Sequence, residues 1–178
     1  MDLYVLLILA VAAERVVELV VSKRNLAWAR SRGGREYGFG HYPFMVFLHT
    51  GLLVACVIEA SHTAFIPALG WPMLALVLLT QALRWWCITT LGPRWNTRIV
   101  VVPGLPLVDR GLYRWMRHPN YVAVVIEGIA LPLVHTAWVT ATVFTVVNAG
   151  LLRVRISAEN AAMAEALAES PPSTRLSQ

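Results

Sequence analysis

Charged residues are scarce in this chain. Asp, Glu, Lys and Arg together make up 14% of its 178 residues, whereas they make up about 25% of soluble globular domains. This scarcity excludes an ordinary soluble domain, because a water-exposed surface needs more charge. Hydrophobic residues make up 57% of the chain and the mean hydropathy is +0.60. The composition therefore predicts an integral membrane protein.

Cysteines and ligand clusters are scarce too. The two cysteines, Cys56 and Cys87, both lie in apolar runs, which excludes a disulfide scaffold and favours buried thiols. The histidines follow no metal-ligand spacing, so no bound metal is expected. A Gly-x-Gly in residues 33–40 follows no predicted strand, so it is not a dinucleotide-binding fingerprint. No nucleic-acid motif is present, and nucleic acid is not an expected partner.

Five apolar runs predict the architecture. A spanning helix needs about 20 residues, and the last two runs are short enough to suggest a tight hairpin. We expect an all-α integral membrane protein with about five transmembrane helices and a cytosolic helical extension, from runs at residues 3–21, 43–60, 71–90, 121–136 and 137–152. One domain is expected over residues 1–168, followed by a disordered tail at 169–178.

The basic residues predict the orientation. Lys and Arg collect in cytoplasmic loops. All of them except Arg15 and Arg84 fall in three segments, residues 22–42, 91–119 and 153–175. This places the N-terminus outside and the C-terminus in the cytosol. The net charge of +5 then reflects topology and contact with anionic membrane lipids.

The stretch GLYRWMRHPNY, residues 111–121, combines charge with a helix start. Pro119 suits the first helical position because it has no N–H to leave unpaired, and it moves His118 out of the helical region. A helix N-terminus attracts anions, and Arg117 adds a full positive charge. The stretch predicts a site for a carboxylate or phosphate at a membrane boundary.

A second group of residues follows the last apolar run. In NAGLLRVRISAEN, residues 148–160, the spacing puts Asn148, Leu152, Arg155 and Glu159 on one helical stripe. The spacing alone favours an ordinary i,i+4 ion pair between Arg155 and Glu159. The predicted topology favours a functional role for this stripe, because it places the stripe in the same leaflet as His118.

These two segments resemble the isoprenylcysteine carboxyl methyltransferase family. GLYRWMRHPNYVA is similar to the family's R-H-P-x-Y-x-G element, and RVRISAEN is similar to its later Arg–Glu–Glu segment. The resemblance is strongest over residues 81–163 and points to small bacterial members, which are often associated with type III polyketide synthases and methylate lipidic phenols or pyrones. Two positions depart from the family pattern, with Ala123 in place of glycine and Asn160 in place of the second glutamate.

The resemblance implies S-adenosylmethionine as the methyl donor, a bacterial inner-membrane location, and a donor pocket between the last two helices. His118 and the helix start at Pro119 would hold the donor's carboxylate, and Glu159 its ammonium or ribose hydroxyls. Arg155 is the expected catalytic residue, because a guanidinium can orient an acceptor carboxylate or lower the pKa of a phenol. The full set of expected donor-binding residues is Gly111, Tyr113, Arg117, His118, Pro119, Tyr121 and Glu159.

Charged side chains inside the spans cost free energy in lipid, so they are candidates for a functional role. Asn148 and Glu127 are expected to face the substrate. For all the charged residues in the spans, Glu127 included, structural pairing is the favoured interpretation, with Arg84 bound to Glu127 or to Glu18. The remaining members of this group are Glu14 and Arg15.

The predicted function is O-methylation of a lipophilic carboxylate, phenol or pyrone at the cytosolic face, with a functional link to a polyketide synthase. A bacterial prenylcysteine protein or a phospholipid amine also fits as acceptor.

Two other classes of function stay open. Membrane sterol reductases carry a similar G-x-x-R-x-x-R-H-P-N-Y element, which would make this an NADPH-dependent reductase. A non-catalytic membrane module would use Arg117 and His118 to bind lipid phosphates.

Overall fold

The described part of the chain, residues 1–106 and 108–169, folds into five α-helices and one small sheet in the computed structural model. The helices are α1 Asp2–Arg30, α2 Tyr42–Ala60, α3 Pro67–Leu91, α4 Pro119–Leu133 and α5 Trp138–Glu169. This confirms the predicted all-α architecture and the helical extension after the last apolar run. Residues 170–178, nearly all of the predicted tail, lie outside the described residues.

Three of the described helices are long and apolar enough to cross a membrane, Tyr42–Ala60, Pro67–Arg94 and Trp138–Ala166. The chain is therefore a membrane protein. Helix α1 has the length, at 29 residues, but carries charged residues in its middle. Helix α4 is apolar but has only 15 residues, which gives a rise of about 22 Å against a hydrocarbon core of about 30 Å.

Helices α4 and α5 form the predicted hairpin. At its turn, the Glu59 carboxylate of α2 accepts hydrogen bonds from the backbone N–H groups of Val139, at 2.9 Å, and Thr140, at 2.7 Å. A carboxylate at a helix start satisfies unpaired donors and complements the helix dipole. The Tyr4 hydroxyl of α1 donates to the Leu131 carbonyl at 2.9 Å. The hairpin is thus fixed to both α1 and α2.

Four charged side chains inside the helices form one paired network. Arg84 donates to both carboxylate oxygens of Glu18, at 2.8 and 2.5 Å. Arg15 donates to Glu18 at 2.8 Å and to Glu127 at 2.5 and 2.6 Å, and Gln81 donates to Glu127 at 3.2 Å. Two arginines balance two glutamates, which lets a bundle tolerate charge at this depth. The structure thus places Arg84 against Glu18.

The sheet was not predicted, because the sequence analysis treats both of its segments as loops. Strands β1 Arg35–Tyr37 and β2 Ile99–Val101 pair antiparallel, with Glu36 opposite Val100. Two loops meet at one end of the bundle, and the β-branched run Ile–Val–Val favours an extended backbone there. This end is termed the basic end, and it comprises residues 22–42, 92–106, 108–119 and 153–169.

Candidate functional site

A large cavity opens at the basic end. Its volume is about 980 Å³, near the top of the range of about 300–1,000 Å³ for small-molecule sites. It lies between β2 with the segment that follows it, the start of α4, and the C-terminal part of α5. One wall is polar and contains His118, Asn120, Tyr121, Arg155 and Glu159. The lining also includes apolar residues, namely residues 99–102, Leu105, Val108 and Met163.

The polar wall joins α4 to α5 through the hydroxyl of Tyr121. This hydroxyl donates to Glu159 Oε2 at 2.5 Å and accepts from Arg155 Nε at 2.8 Å. The Pro119 turn and the Glu159 stripe therefore meet at one cavity. The structure links Arg155 and Glu159 through a tyrosine hydroxyl, where their spacing predicts a direct i,i+4 ion pair.

His118 caps the start of α4. Its φ and ψ are −131° and 58°, and Pro119 is the first helical residue, which confirms the predicted helix start. The His118 ring stacks on Tyr121 with centroids 5.1 Å apart and planes inclined by 17°. Its Nδ1 lies 3.8 Å from Glu159 Oε1, and both side chains are partly exposed. His118 and Glu159 can therefore contact the same ligand.

Arg155 is 6% exposed and is held by three protein groups. Besides its bond to Tyr121, Nη1 donates to Met45 Sδ at 2.9 Å and Nη2 donates to the Thr97 carbonyl at 2.7 Å. A guanidinium has five N–H donors, so two remain for a ligand in the cavity that Arg155 lines. The predicted catalytic arginine is thus fixed in place from α2, α4 and the segment before β2.

Tyr113 and Gly111 support the cavity through Trp86. Tyr113 lines the cavity, and its ring stacks on Trp86 with centroids 6.0 Å apart and planes inclined by 16°. Burial, and the neighbouring Cys87, raise the pKa of Tyr113 above its ordinary value, so the hydroxyl stays protonated. Gly111 has φ +60° and lies against the Trp86 ring. Arg117, also a predicted site residue, is exposed at the cavity.

Gly111→Ala is expected to loosen this stack, because a Cβ there would collide with Trp86. The matched control is Gly104→Ala, which also has positive φ, +76°, but nothing within 4 Å of the added carbon. Both variants lose about 1–2 kcal/mol from the left-handed backbone, and Gly111→Ala loses about 1–3 kcal/mol more from overpacking. Apparent melting temperatures in detergent measure the difference. Equal values would show that Trp86 moves without cost.

Glu127 and Asn148, the predicted substrate-facing residues, lie deeper in the bundle. Asn148 is 3% exposed on α5. Glu127 borders a second cavity, of about 20 Å³, together with Arg15 and His49, which is room for about one water molecule. The structure groups Glu127 with the ion network, whereas the large cavity is lined by residues nearer the basic end.

Sequence reasoning missed several polar groups at the site. The buried Oδ1 of Asn120 has no hydrogen-bond partner, although Asn120 lines the large cavity. Thr97 contributes a backbone carbonyl, which any residue type could supply. Met45 lies in an apolar run that is predicted to be a membrane span. Of these three residues, only Asn120 could have been found from the sequence, because it is a polar residue directly after the R-H-P element.

His41, just before α2, is affected by the charge of Arg155. Burial and the Arg155 guanidinium both lower the pKa of His41 below its ordinary value. The folded state therefore favours neutral His41, and the unfolded state binds the proton more readily. His41 thus lowers the stability of the fold as pH falls through its ordinary range, near about 6.5.

Arg155→Gln is expected to raise the pKa of His41 toward the ordinary value, because it removes one of those two causes. The measurement is an NMR titration of protein with labelled histidine, with His41 assigned through His41→Gln. His62, which is exposed at the other end of the bundle, is the internal control and should not change. An unchanged His41 pKa would mean that Arg155 lies farther from His41 than the structure has it.

The chain matches a known family across these elements. Residues 73–165 match the "Isoprenylcysteine carboxyl methyltransferase (ICMT) family". This range contains the Pro119 turn, Tyr121, Arg155 and Glu159, and therefore most of the polar wall of the cavity.

Two curated relatives cover most of the chain. It is 38% identical over 161 residues to "Uncharacterized protein YpbQ" of Bacillus subtilis, covering 90% of this chain and 96% of that protein. It is 28% identical over 155 residues to an "Uncharacterized protein" of Haemophilus influenzae, covering 86% and 90% of the two chains. No solved structure matches the chain significantly. From the family match and its overlap with the cavity, the chain belongs to the isoprenylcysteine carboxyl methyltransferase family of membrane methyltransferases.

Proposed function

We propose that this protein transfers a methyl group from S-adenosylmethionine to an oxygen of a lipophilic acceptor at the cytosolic face of the membrane. The observation that carries the proposal is the meeting of His118, Tyr121 and Glu159 on one wall of the large cavity. This wall suits the charged part of the donor, and the apolar residues that also line the cavity suit a lipid. Membership of a methyltransferase family supports the same reaction.

The polar wall fits an amino-acid zwitterion. The Glu159 carboxylate suits an ammonium or a pair of ribose hydroxyls, and His118 with the start of α4 suits a carboxylate. The unpartnered Oδ1 of Asn120 fits a ligand N–H or O–H, because a buried acceptor gains most from a partner. S-adenosylmethionine supplies an electrophilic methyl group on its sulfonium. Asn160 lines the same cavity in place of the family's second glutamate, so Glu159 carries the negative charge on this part of α5.

Arg155 suits the acceptor side of the reaction. Its two remaining N–H groups can orient a carboxylate or phenolate oxygen, and its charge lowers the pKa of a bound phenol. Methyl transfer between a cationic donor and an anionic nucleophile cancels charge, so a dry site and accurate positioning supply much of the rate. The chain then needs no covalent catalytic residue.

A polyketide-derived phenol or pyrone is the acceptor that we propose. It combines an acidic oxygen, which suits Arg155, with an apolar body, which suits residues 99–102 and Leu105. A functional link to a polyketide synthase would supply it. The basic loops support a bacterial inner-membrane location with the N-terminus outside and the C-terminus in the cytosol.

The test is incubation of the purified protein with bacterial lipid extracts and methyl-labelled S-adenosylmethionine, followed by mass analysis. The expected result is label in a lipophilic, acidic product with wild-type protein and loss of most label with Arg155→Gln. Saturable binding of NADPH without binding of S-adenosylmethionine would favour a membrane reductase instead. Binding of neither nucleotide, with label absent, would favour a lipid-binding module.

A further inference from the structure

The short segment before β2 is fixed by α1. Asn25 Nδ2 donates to the Trp95 carbonyl at 2.7 Å. The Ser22 hydroxyl donates to Asn96 Oδ1 at 2.8 Å, lies 2.8 Å from the Thr97 hydroxyl, and accepts from Thr97 N–H at 3.1 Å. Asn96 Nδ2 also donates to the Ser22 carbonyl at 3.2 Å. Helix α1 thus holds Thr97 through its N–H and hydroxyl, and none of these bonds involves the Thr97 carbonyl, whose peptide group continues into Arg98.

The first loop fixes the other side of this segment through Glu36. The Glu36 side chain is 7% exposed and accepts from Arg98 Nη1 at 2.5 Å and from Arg30 Nη2 at 3.3 Å. The Arg98 guanidinium also lies 4.4 Å from the centroid of the Tyr42 ring at the start of α2. Main-chain pairing places Glu36 opposite Val100. The carboxylate is mostly buried, and its contacts are charge-assisted, but solvent screens them in part because the Arg98 side chain is 36% exposed and that of Arg30 63% exposed.

The last residue of the segment 95–97 contacts the candidate catalytic arginine. The Thr97 carbonyl, one residue before Arg98, accepts from Arg155 Nη2 at 2.7 Å. A series of contacts, from Glu36 to Arg98 and from Thr97 to Arg155, thus connects the first loop to the polar wall of the cavity. Arg98 lines the cavity, whereas Glu36 is not among its lining residues, so Glu36 acts on the site only through Arg98.

We propose that Glu36 and Arg98 are positioning residues for methyl transfer, because their ion pair holds the Thr97 carbonyl against Arg155. This gives the first loop a role at the active site, and it rests on the proposed function of Arg155. Displacing a catalytic group by about 1 Å can lower a rate by about 100-fold. Glu36→Gln keeps the shape of the side chain but removes the charge, so we expect a roughly tenfold lower rate with little change in donor affinity.

The first test does not depend on turnover. In detergent-solubilised, arginine-labelled protein, NMR follows exchange of the Arg155 Nε proton, assigned through Arg155→Lys. The proton is buried and bonded to Tyr121, so exchange in the wild type is slow. Glu36→Gln is expected to speed it about tenfold. The matched control is Glu165→Gln, which removes an exposed carboxylate 3.8 Å from Arg35 of β1, and it should leave exchange unchanged. Unchanged exchange in Glu36→Gln would overturn the proposal.

The second test is a double-mutant cycle on incorporation of methyl label into lipid extract. If Glu36 acts through Arg155, Glu36→Gln lowers the rate in the wild-type background and has no further effect in Arg155→Gln. If Glu36→Gln lowers the rate by the same factor in both backgrounds, the proposal is overturned. Absence of label in the wild type would count against the proposed function alone, since the exchange test still decides the positioning role.

Discussion

Glu159→Gln is expected to weaken binding of S-adenosylmethionine by about 10- to 100-fold. The substitution removes the negative charge that accepts the Tyr121 hydroxyl at 2.5 Å and lies 3.8 Å from His118 Nδ1. A hydrogen bond to a charged group contributes about 1.5–3 kcal/mol, and about 1.4 kcal/mol corresponds to a factor of ten in affinity. Calorimetric titration of purified protein measures the dissociation constant.

The control for Glu159→Gln lies on the same helix. Glu165 is 51% exposed and 3.8 Å from Arg35, so Glu165→Gln removes an equal charge without touching the polar wall. We expect its donor affinity to stay within about twofold of the wild type, as surface ion pairs contribute little. Wild-type affinity in Glu159→Gln would show that the donor does not contact this wall.

Glu18→Leu is expected to cause the largest loss of stability. Glu18 is 2% exposed and accepts from both Arg84 and Arg15. Its removal leaves the buried Arg84 guanidinium without its carboxylate partner, whereas the partly exposed Arg15 keeps Glu127. Removing one partner of a buried ion pair typically destabilises by about 3–5 kcal/mol, because the other charge stays buried and unpaired. The apparent melting temperature in detergent should fall sharply.

The double variant Glu18→Leu/Arg84→Leu tests the cause of that loss. It removes one charge of each sign and leaves Arg15 bound to Glu127 at 2.5 Å. Replacing a whole buried ion pair by apolar residues is often neutral or stabilising, so the melting temperature should return close to that of the wild type. A double variant as unstable as Glu18→Leu would mean that Glu18 stabilises the bundle by shape rather than by charge.

The sequence predicts the parts of the fold that depend on local composition. The five apolar runs each coincide with a helix, and three of the described helices are long and apolar enough to cross a membrane, a property that depends on length and hydrophobicity alone. Pro119 opens α4 as predicted, because proline acts on its own backbone. The two site segments, around His118 and Glu159, could be found from motif and spacing.

The contacts that hold the site could not be predicted from the sequence. Arg155 binds the Met45 sulfur and the Thr97 carbonyl, and neither an apolar methionine nor a backbone group has a sequence signature. The buried Glu36 looks like an ordinary loop residue, and its role depends on a strand pairing of only three residues a side. Such pairings are set by how helices bring loops together, which single-sequence patterns do not encode.

In the proposed reaction, the polar wall that contains His118, Tyr121 and Glu159 binds S-adenosylmethionine. The most direct measurement is calorimetric titration of the purified wild-type protein with S-adenosylmethionine and, separately, with NADPH. We expect saturable binding of S-adenosylmethionine that His118→Ala weakens, and no binding of NADPH. Saturable binding of NADPH with none of S-adenosylmethionine would contradict it.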